Sequence, residues 1–246
     1  MATTTHSTAA RGAVIKRIVA AYGDHLSYGQ VMDIVANVLR WGGLAIGPSD
    51  CGYAVWALPT HPKAVRTLDI VLDHEATPIP LTFGSVPDMA TLVRFGTIHL
   101  RLADAWPGGL TLVVPACGST ARKYAQTLHG IQTLGVRISR SVIERQIAAE
   151  SGSAITSAAI RYPDGALVRT YEDAEAIVLD KVTACCAAGV LLVGVKHSGR
   201  FPLSVNSTVA ALGDDGISIV RPGFYERRDL VAMASRIAVH EYADAT

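Results

Sequence analysis

Apolar positions along this chain switch repeatedly between a spacing of three to four residues and short continuous runs, the pattern of helices interleaved with buried strands. Val14, Ile15, Ile18, Val19 and Tyr22 fall at helical spacing, and Ser27 is placed to cap a second helix carrying Val31, Ile34, Val35, Val38 and Leu39 on one face. Gly42 and Gly43 stop that helix, and Leu44 to Ile46 opens an apolar strand that ends at Pro48 and runs into a loop of small polar residues, Pro-Ser-Asp-Cys-Gly-Tyr. Thr60 and Pro62 start the next helix, with Ala64, Val65, Leu68 and Leu72 as its buried stripe, before a proline-bounded strand at Ile79 to Phe83. Met89, Leu92 and Val93 predict a short helix and Ile98 to Ala105 another, after which Trp106-Pro107-Gly108-Gly109 turns the chain into a strand at Leu110 to Val114. Strands then follow at Gly135 to Ser139 and Ala154 to Ser157, separated by a helix over Ser141 to Glu150. Glu172 to Leu179 predicts a helix, Gly189 to Val195 a strand, Ser207 to Leu212 with Ile217 to Val220 a hairpin, and Asp229 to Val239 a closing helix.

Helices alternate with strands and no linker or composition break divides them, so the expectation is one α/β domain over residues 11–246 behind a tail at residues 1–10. The late hairpin and the short crossovers predict a mixed sheet. Composition agrees with a folded core, since half of the 246 residues are apolar and 17% are charged. A net charge of +1 gives no bulk attraction to nucleic acid or to an anionic membrane. The longest apolar stretch, Val182 to Val195, is bounded by Lys181 and Lys196 and is shorter than the roughly 20 residues of a spanning helix, so it reads as a buried strand with its approach, in a soluble chain without a membrane partner. The first residues lack an acid before Asp24 and carry several hydroxyls, a feature shared with transit peptides; a tail followed by a helix is the other reading. Cys51, Cys117, Cys185 and Cys186 form no C-x-x-C pair, which fits reduced cysteines in a cytoplasmic protein.

Four stretches, in order, resemble the YrdC/Sua5/YciO family, whose best-known members are threonylcarbamoyl-AMP synthases. Gly42 to Val55, GGLAIGPSDCGYAV, is similar to the family's glycine-rich strand and Pro-Thr-Asp-Thr-x-Tyr-Gly-Leu segment, and Trp106 to Val114, WPGGLTLVV, to its Trp-Pro-Gly-x-Leu-Thr segment. GVRIS at Gly135 to Ser139 with AITSAA at Ala154 to Ala159 is similar to the Val-Arg-hydrophobic-Pro strand and the Ser-Ala-Asn turn. NSTVAAL at Asn206 to Leu212 with IVRPGFY at Ile219 to Tyr225 is similar to the Ser-Thr-Val strand and Arg-Pro-Gly turn. The resemblance spans about residues 28–240 and implies a twisted, open mixed sheet flanked by helices, with a concave ligand face, in a short single-domain form.

The resemblance also implies an activity: joining ATP, L-threonine and bicarbonate into threonylcarbamoyl-AMP and pyrophosphate, with Mg²⁺ on the phosphates, in the tRNA t6A pathway alongside other enzymes of that pathway. By their place in the motifs, Ser157, Ser207, Thr208 and Arg221 would contact ATP or an adenylate, while Ser49, Cys51, Tyr53 and Arg137 would shape the substrate pocket. Arginine suits both ends because its planar fork makes paired charge-assisted hydrogen bonds to carboxylate or phosphate.

Departures from the family pattern bear on the substrate. The family's Lys-x-Arg pair corresponds here to Asp73 and Glu75, a local charge reversal of about four units at pH 7. A phosphate charge within about 4 Å of a carboxylate is opposed by roughly 4 kcal/mol at an effective dielectric near 20. Mg²⁺ held by Asp73 and Glu75 would offset that repulsion. Ala159 replaces the asparagine of the Ser-Ala-Asn turn, Cys51 the second threonine, and Ala54 a glycine. Cys51 with His74 forms a candidate thiolate–imidazole pair, against a plain buried cysteine and surface histidine, and the loop His197-Ser198-Gly199-Arg200 either covers the nucleotide or is simply solvated. Three functions remain open: the synthase itself or a divergent carbamoyl-adenylate enzyme of a specialised pathway, a non-catalytic double-stranded-RNA-binding module, and a regulatory subunit.

Overall fold

The structure is a computed structural model, and it describes residues 9–10, 13–14, 16–21, 26–72, 79–90, 92–118, 126–128, 131–152, 154–185, 190–197, 199–213 and 215–235. The strands are β1 (Ala9–Ala10), β2 (Ala13–Val14), β3 (Lys16–Ala21), β4 (Leu44–Pro48), β5 (Tyr53–Ala57), β6 (Leu81–Thr82), β7 (Leu110–Pro115), β8 (Gln126–Leu128), β9 (Ile131–Arg137), β10 (Ile155–Ala159), β11 (Leu191–Lys196), β12 (Thr208–Gly213) and β13 (Gly216–Arg221). Helices follow as α1 (Tyr28–Arg40), α2 (Pro62–Val71), α3 (Val86–Met89), α4 (Thr97–Leu102), α5 (Val142–Glu150), α6 (Tyr171–Cys185) and α7 (Arg227–Ala234).

Apart from the β1–β2 pair, the described strands form one sheet in the order β13-β12-β7-β9-β6-β10-β5-β4-β11-β3, with β8 beside β9. The sheet is mixed. β12 runs parallel to β7, β6 to β9, and β11 to both β4 and β3, whereas β5 is antiparallel to β4 and to β10. α1 begins as its sequence predicts: Gln30 N–H donates to Ser27 Oγ at 3.3 Å, and Ser27 N–H donates to Gln30 Oε1 at 2.8 Å.

The β4–β5–β10–β11 half of the sheet is covered on both faces. One face packs Leu44, Ile46, Tyr53 and Val55 against Leu68 of α2 and Val178 of α6, and the other packs Ala45, Ala54 and Trp56 against Val35 of α1 and Ile147 of α5. Across β7, β9 and β12 a strict period of two divides the side chains. Leu110, Leu112, Leu134, Val136 and Ala210 join the core built on Met89, Leu102 and Leu230, while Thr111, Arg137, Ser207 and Val209 point the other way. Thr111, Arg137 and Ser207 therefore share one face, and that face holds the site.

Several expectations are corrected. The helix expected over Val14 to Tyr22 is replaced within the described residues by β2 and β3, and β3 pairs in parallel with β11 from Lys16 opposite Leu191 to Ala21 opposite Lys196. Its β-branched residues favour the pleated chain, and the edge of β11 supplies the partner. In the apolar stretch from Val182 the approach is helical, α6 running to Cys185, and the strand expected at Gly189 to Val195 is β11 at Leu191–Lys196. Tyr53, expected as the last residue of a polar loop, instead opens the fully buried strand Tyr53–Ala57, and the expected strand at Ile79 to Phe83 shrinks to the two residues of β6. Of the tail at residues 1–10, residues 1–8 lie outside the described residues. Among the described residues, no helix is long and apolar enough to cross a membrane.

Candidate active site

The turn between β4 and β5 is the first wall of the site. Ser49 donates both its backbone N–H, at 2.9 Å, and its hydroxyl, at 2.8 Å, to the Gly52 carbonyl. A Cβ on Gly52 would lie 2.6 Å from the Val168 carbonyl oxygen, so only glycine closes this turn against the neighbouring chain. The tight turn presents Asp50 inward and Ser49 and Cys51 to the hollow.

Asp50 anchors a buried polar cluster. Its carboxylate accepts a hydrogen bond from Arg137 Nη2 at the end of β9, from Ser139 Oγ at 2.5 Å, and from the Ser141 N–H at 3.0 Å. Ser141 also caps α5 and donates its hydroxyl to the Pro48 carbonyl at 2.8 Å, tying the helix to β4. Ser157 Oγ on β10 donates to Glu144 Oε1 in the first turn of α5. Burial works against the Arg137 charge, but the Asp50 and Glu144 carboxyls outweigh it and hold its pKa above the ordinary value. Burial pushes the Glu144 carboxyl up, with Arg137 opposing and Asp50 adding to the rise.

The Glu144 shift has a measurable consequence. Because its proton is held more tightly in the folded chain than in the unfolded one, this contribution to stability is fully present below the ordinary carboxyl pKa of about 4.3 and is lost as pH rises through the folded value. Glu144→Gln keeps the acceptor for Ser157 and removes the titration. Its stability in urea should therefore decline less, as pH rises above the ordinary carboxyl value, than that of the parent. Parallel pH profiles for the two proteins would contradict this account of the cluster.

Opposite the β4–β5 turn stand Asn206, Ser207 and the Arg-Pro-Gly turn. Ser207 Oγ lies 2.9 Å from Thr111 Oγ1, and Arg221 Nη2 donates to the Ser207 carbonyl at 3.0 Å and to its hydroxyl at 3.2 Å. Cys51 Sγ donates to Asn206 Oδ1 at 3.1 Å, which links the two walls. Burial raises the Cys51 pKa, offset in part by Arg137, which favours the protonated thiol that donates to Asn206. Burial, followed by repulsion from Arg137 and Arg161, lowers the pKa of Arg221.

These walls enclose a cavity of about 400 Å³. Of the residues singled out in the sequence, Ser49, Cys51, Arg137, Ser157, Ser207 and Arg221 line it together. Thr208 does not: the strand period turns it to the opposite face, where its hydroxyl donates to the Tyr225 carbonyl at 2.8 Å and accepts from the Tyr225 N–H at 2.7 Å. Tyr53 also lies elsewhere, packed edge-on against Tyr171 and Phe201, with its hydroxyl accepting from the His197 N–H at 2.9 Å. That bond ties the His197 loop to β5 and away from the cavity lining. Asp73, Glu75 and His74 lie outside the described residues. Sequence reasoning missed Asp50, Glu144, Asn206 and Arg161. The last two were within reach: Asn206 precedes Ser207, and Arg161 follows Ala159 by two, the spacing that keeps a strand residue on the same face.

Fold and site together define an α/β protein with a cationic, hydroxyl-lined hollow on a mixed sheet. A family model named Sua5_yciO_yrdC, described as telomere recombination, matches residues 37–223, and the chain belongs to this Sua5/YciO/YrdC family. The crystal structure of P. abyssi Sua5 complexed with L-threonine matches with a TM-score of 0.71 at 20% identity, covering 89% of this chain and 62% of that one. E. coli YciO matches at 0.67 and 17% identity, over 86% of this chain and 97% of that one. Full-length HypF in its phosphate- and nucleotide-bound form matches at 0.60 and 16%, over 78% of this chain and 29% of that one. At these identities the likeness is one of fold, and the chain spans only about 60% of the length of the P. abyssi Sua5 chains. No curated protein matches the chain.

Proposed function

We propose that this chain is a nucleotide-handling enzyme that forms or consumes a carbamoyl-adenylate, in its most direct form making threonylcarbamoyl-AMP from ATP, L-threonine and bicarbonate with release of pyrophosphate. The observation that carries the reading is convergence: Arg137, Ser157, Ser207 and Arg221, distant in sequence, line one cavity with Ser49 and Cys51. Membership of a family that includes Sua5, one of whose structures holds L-threonine, supports the same reading. The nucleoside packs against the apolar wall of Ile79, Pro80, Val209 and Val220, and Arg221 with Ser207 contacts the nucleotide. Arg137, fixed by Asp50, faces the amino-acid or acceptor end beside Ser49. Such walls keep water from a labile carbamoyl intermediate.

Mg²⁺ fits poorly to the residues described. Among them no three acidic, histidine or cysteine side chains gather as a cation would need, and Asp50 is engaged by Arg137, Ser139 and Ser141. No step is assigned to a protein-held metal; in this reading a cation arrives on the phosphates of ATP.

A second reading keeps the adenylate and changes the acceptor. It is favoured by Ala159, whose side chain offers no amide to a substrate, and by Cys51, whose donor is already directed at Asn206. Pyrophosphate release from ATP, measured with and without L-threonine in bicarbonate buffer, separates the two. The synthase reading predicts release that depends on threonine. Absence of threonine-dependent release, in a protein that still binds AMP, would overturn it in favour of another acceptor.

A further inference from the structure

Among the described residues, positive charge around the cavity exceeds negative. Three guanidinium groups line it, those of Arg137, Arg161 and Arg221. Arg137 is paired with Asp50, and the Glu144 carboxyl is engaged by Ser157. Among the described residues, neither Arg161 nor Arg221 forms an ion pair with a carboxylate, and both hold to backbone carbonyls instead: Arg161 Nη1 to Gly165, Arg221 Nη2 to Ser207. Two positive charges that no described carboxylate pairs, on one hollow, attract a group carrying about two negative charges.

Arg161 is also held in place. It belongs to a small hairpin closed by Tyr162 N–H to the Ala166 carbonyl at 2.9 Å and Val168 N–H to the Ile160 carbonyl at 3.1 Å. The turn of that hairpin brings back the Gly165 carbonyl that grips one guanidinium N–H, leaving four of the five donors of an arginine for a ligand. Repulsion from Arg161 contributes to the lowered pKa of Arg221, consistent with two cations facing a shared space. A second cavity, of about 650 Å³, adjoins the first and shares Ala159 and Arg161 with it. Its other walls include Leu72, Ile160, Tyr162 and Ile177, together with one acid and one base, Asp180 and Lys181. A phosphoryl group at Arg161 thus has room on one side for a nucleoside and on the other for whatever extends from the phosphorus.

Building on the nucleotide reading above, we propose that Arg161 is the specificity-determining cation of this site, gripping the phosphoryl group of the bound nucleotide from the side opposite Arg221 at the junction of the two cavities. Calorimetric titration with AMP and with adenosine tests it on the parent, on Arg161→Ala and Arg161→Lys, and on Arg228→Ala as a control in an exposed cation paired with Glu226 outside the cavity lining. The parent should bind AMP more tightly than adenosine. Arg161→Ala should lose about tenfold or more of the AMP affinity while its adenosine affinity stays unchanged, in keeping with one charge-assisted hydrogen-bonding group. Arg161→Lys should recover part of the loss, and Arg228→Ala should bind like the parent. Unchanged AMP binding by Arg161→Ala, or an equal loss for adenosine, overturns the assignment and leaves the nucleotide reading intact. A parent that binds neither probe overturns both.

Discussion

Asp50→Ala is expected to destabilise the folded chain by about 3–5 kcal/mol, because it strips the partner from a buried guanidinium. In a chain of this length that is roughly 6–20 °C in Tm. The Arg137 and Asp50 side chains are 10% and 1% exposed, so solvent cannot replace the lost partner. The same substitution releases the Ser139 hydroxyl and the Ser141 N–H, and with them the attachment of α5 to the site. Asp50→Asn should be nearly as damaging, since shape and an acceptor survive but the charge does not. The double variant Asp50→Ala/Arg137→Ala should lose clearly less than the sum of the two single variants. Additive losses in urea denaturation would mean that the pair is not coupled.

Gly223→Ala should disable the opposite wall. A Cβ there would lie 2.5 Å from the Ser207 carbonyl carbon and the Thr208 nitrogen and 2.6 Å from the Asn206 carbonyl oxygen, all backbone atoms that cannot swing aside. Relief requires the Arg-Pro-Gly turn to move away from β12, which takes Arg221 off Ser207. The expected result is a loss of about 1–3 kcal/mol in stability, typical of overpacking. AMP affinity should fall by about tenfold or more with the displaced charge-assisted contact. Gly213→Ala, on the same hairpin with nothing within 4 Å of its Cβ, is the matched control and should resemble the parent in both measurements. A Gly223→Ala protein with parental Tm and AMP affinity would show that the close approach is not what holds the turn.

The parts of the fold that were legible in the sequence are those decided by local chemistry. Ser27 and Gln30 announce the start of α1, and the alternation Leu110-Thr111-Leu112 and Val136-Arg137-Ile138 separates core face from site face without any coordinates. The same alternation, applied strictly, would have kept Ser207 in the site and excluded Thr208. What misled were decisions made at long range. The spacing of Val14 to Tyr22 suits a helix, but the open edge of β11, contributed by residues far along the chain, fixes the strand. Tyr53 resembles a ligand contact when it follows a polar loop; burial of the whole Tyr53–Ala57 run makes it a core aromatic.

The site was only half visible for a related reason. Motif positions gave the residues that reach the cavity from strand ends, Arg137, Ser157, Ser207 and Arg221. They did not give Asp50 and Glu144, whose role is to hold those residues and which depend on α5 packing beside the β4–β5 turn. No motif covers Arg161; its spacing from Ala159 puts it on the site face, but its importance comes from the charge of the assembled cavity.

If the cavity between the β4–β5 turn and the Arg-Pro-Gly turn holds an adenylate, a crystal structure of the protein grown with AMP will reveal it there. The account predicts electron density for the nucleotide in that cavity, with Arg221 and Ser207 in contact and the nucleoside against Pro80 and Val209. A nucleotide seated elsewhere on the molecule, with this cavity filled only by solvent, would contradict it.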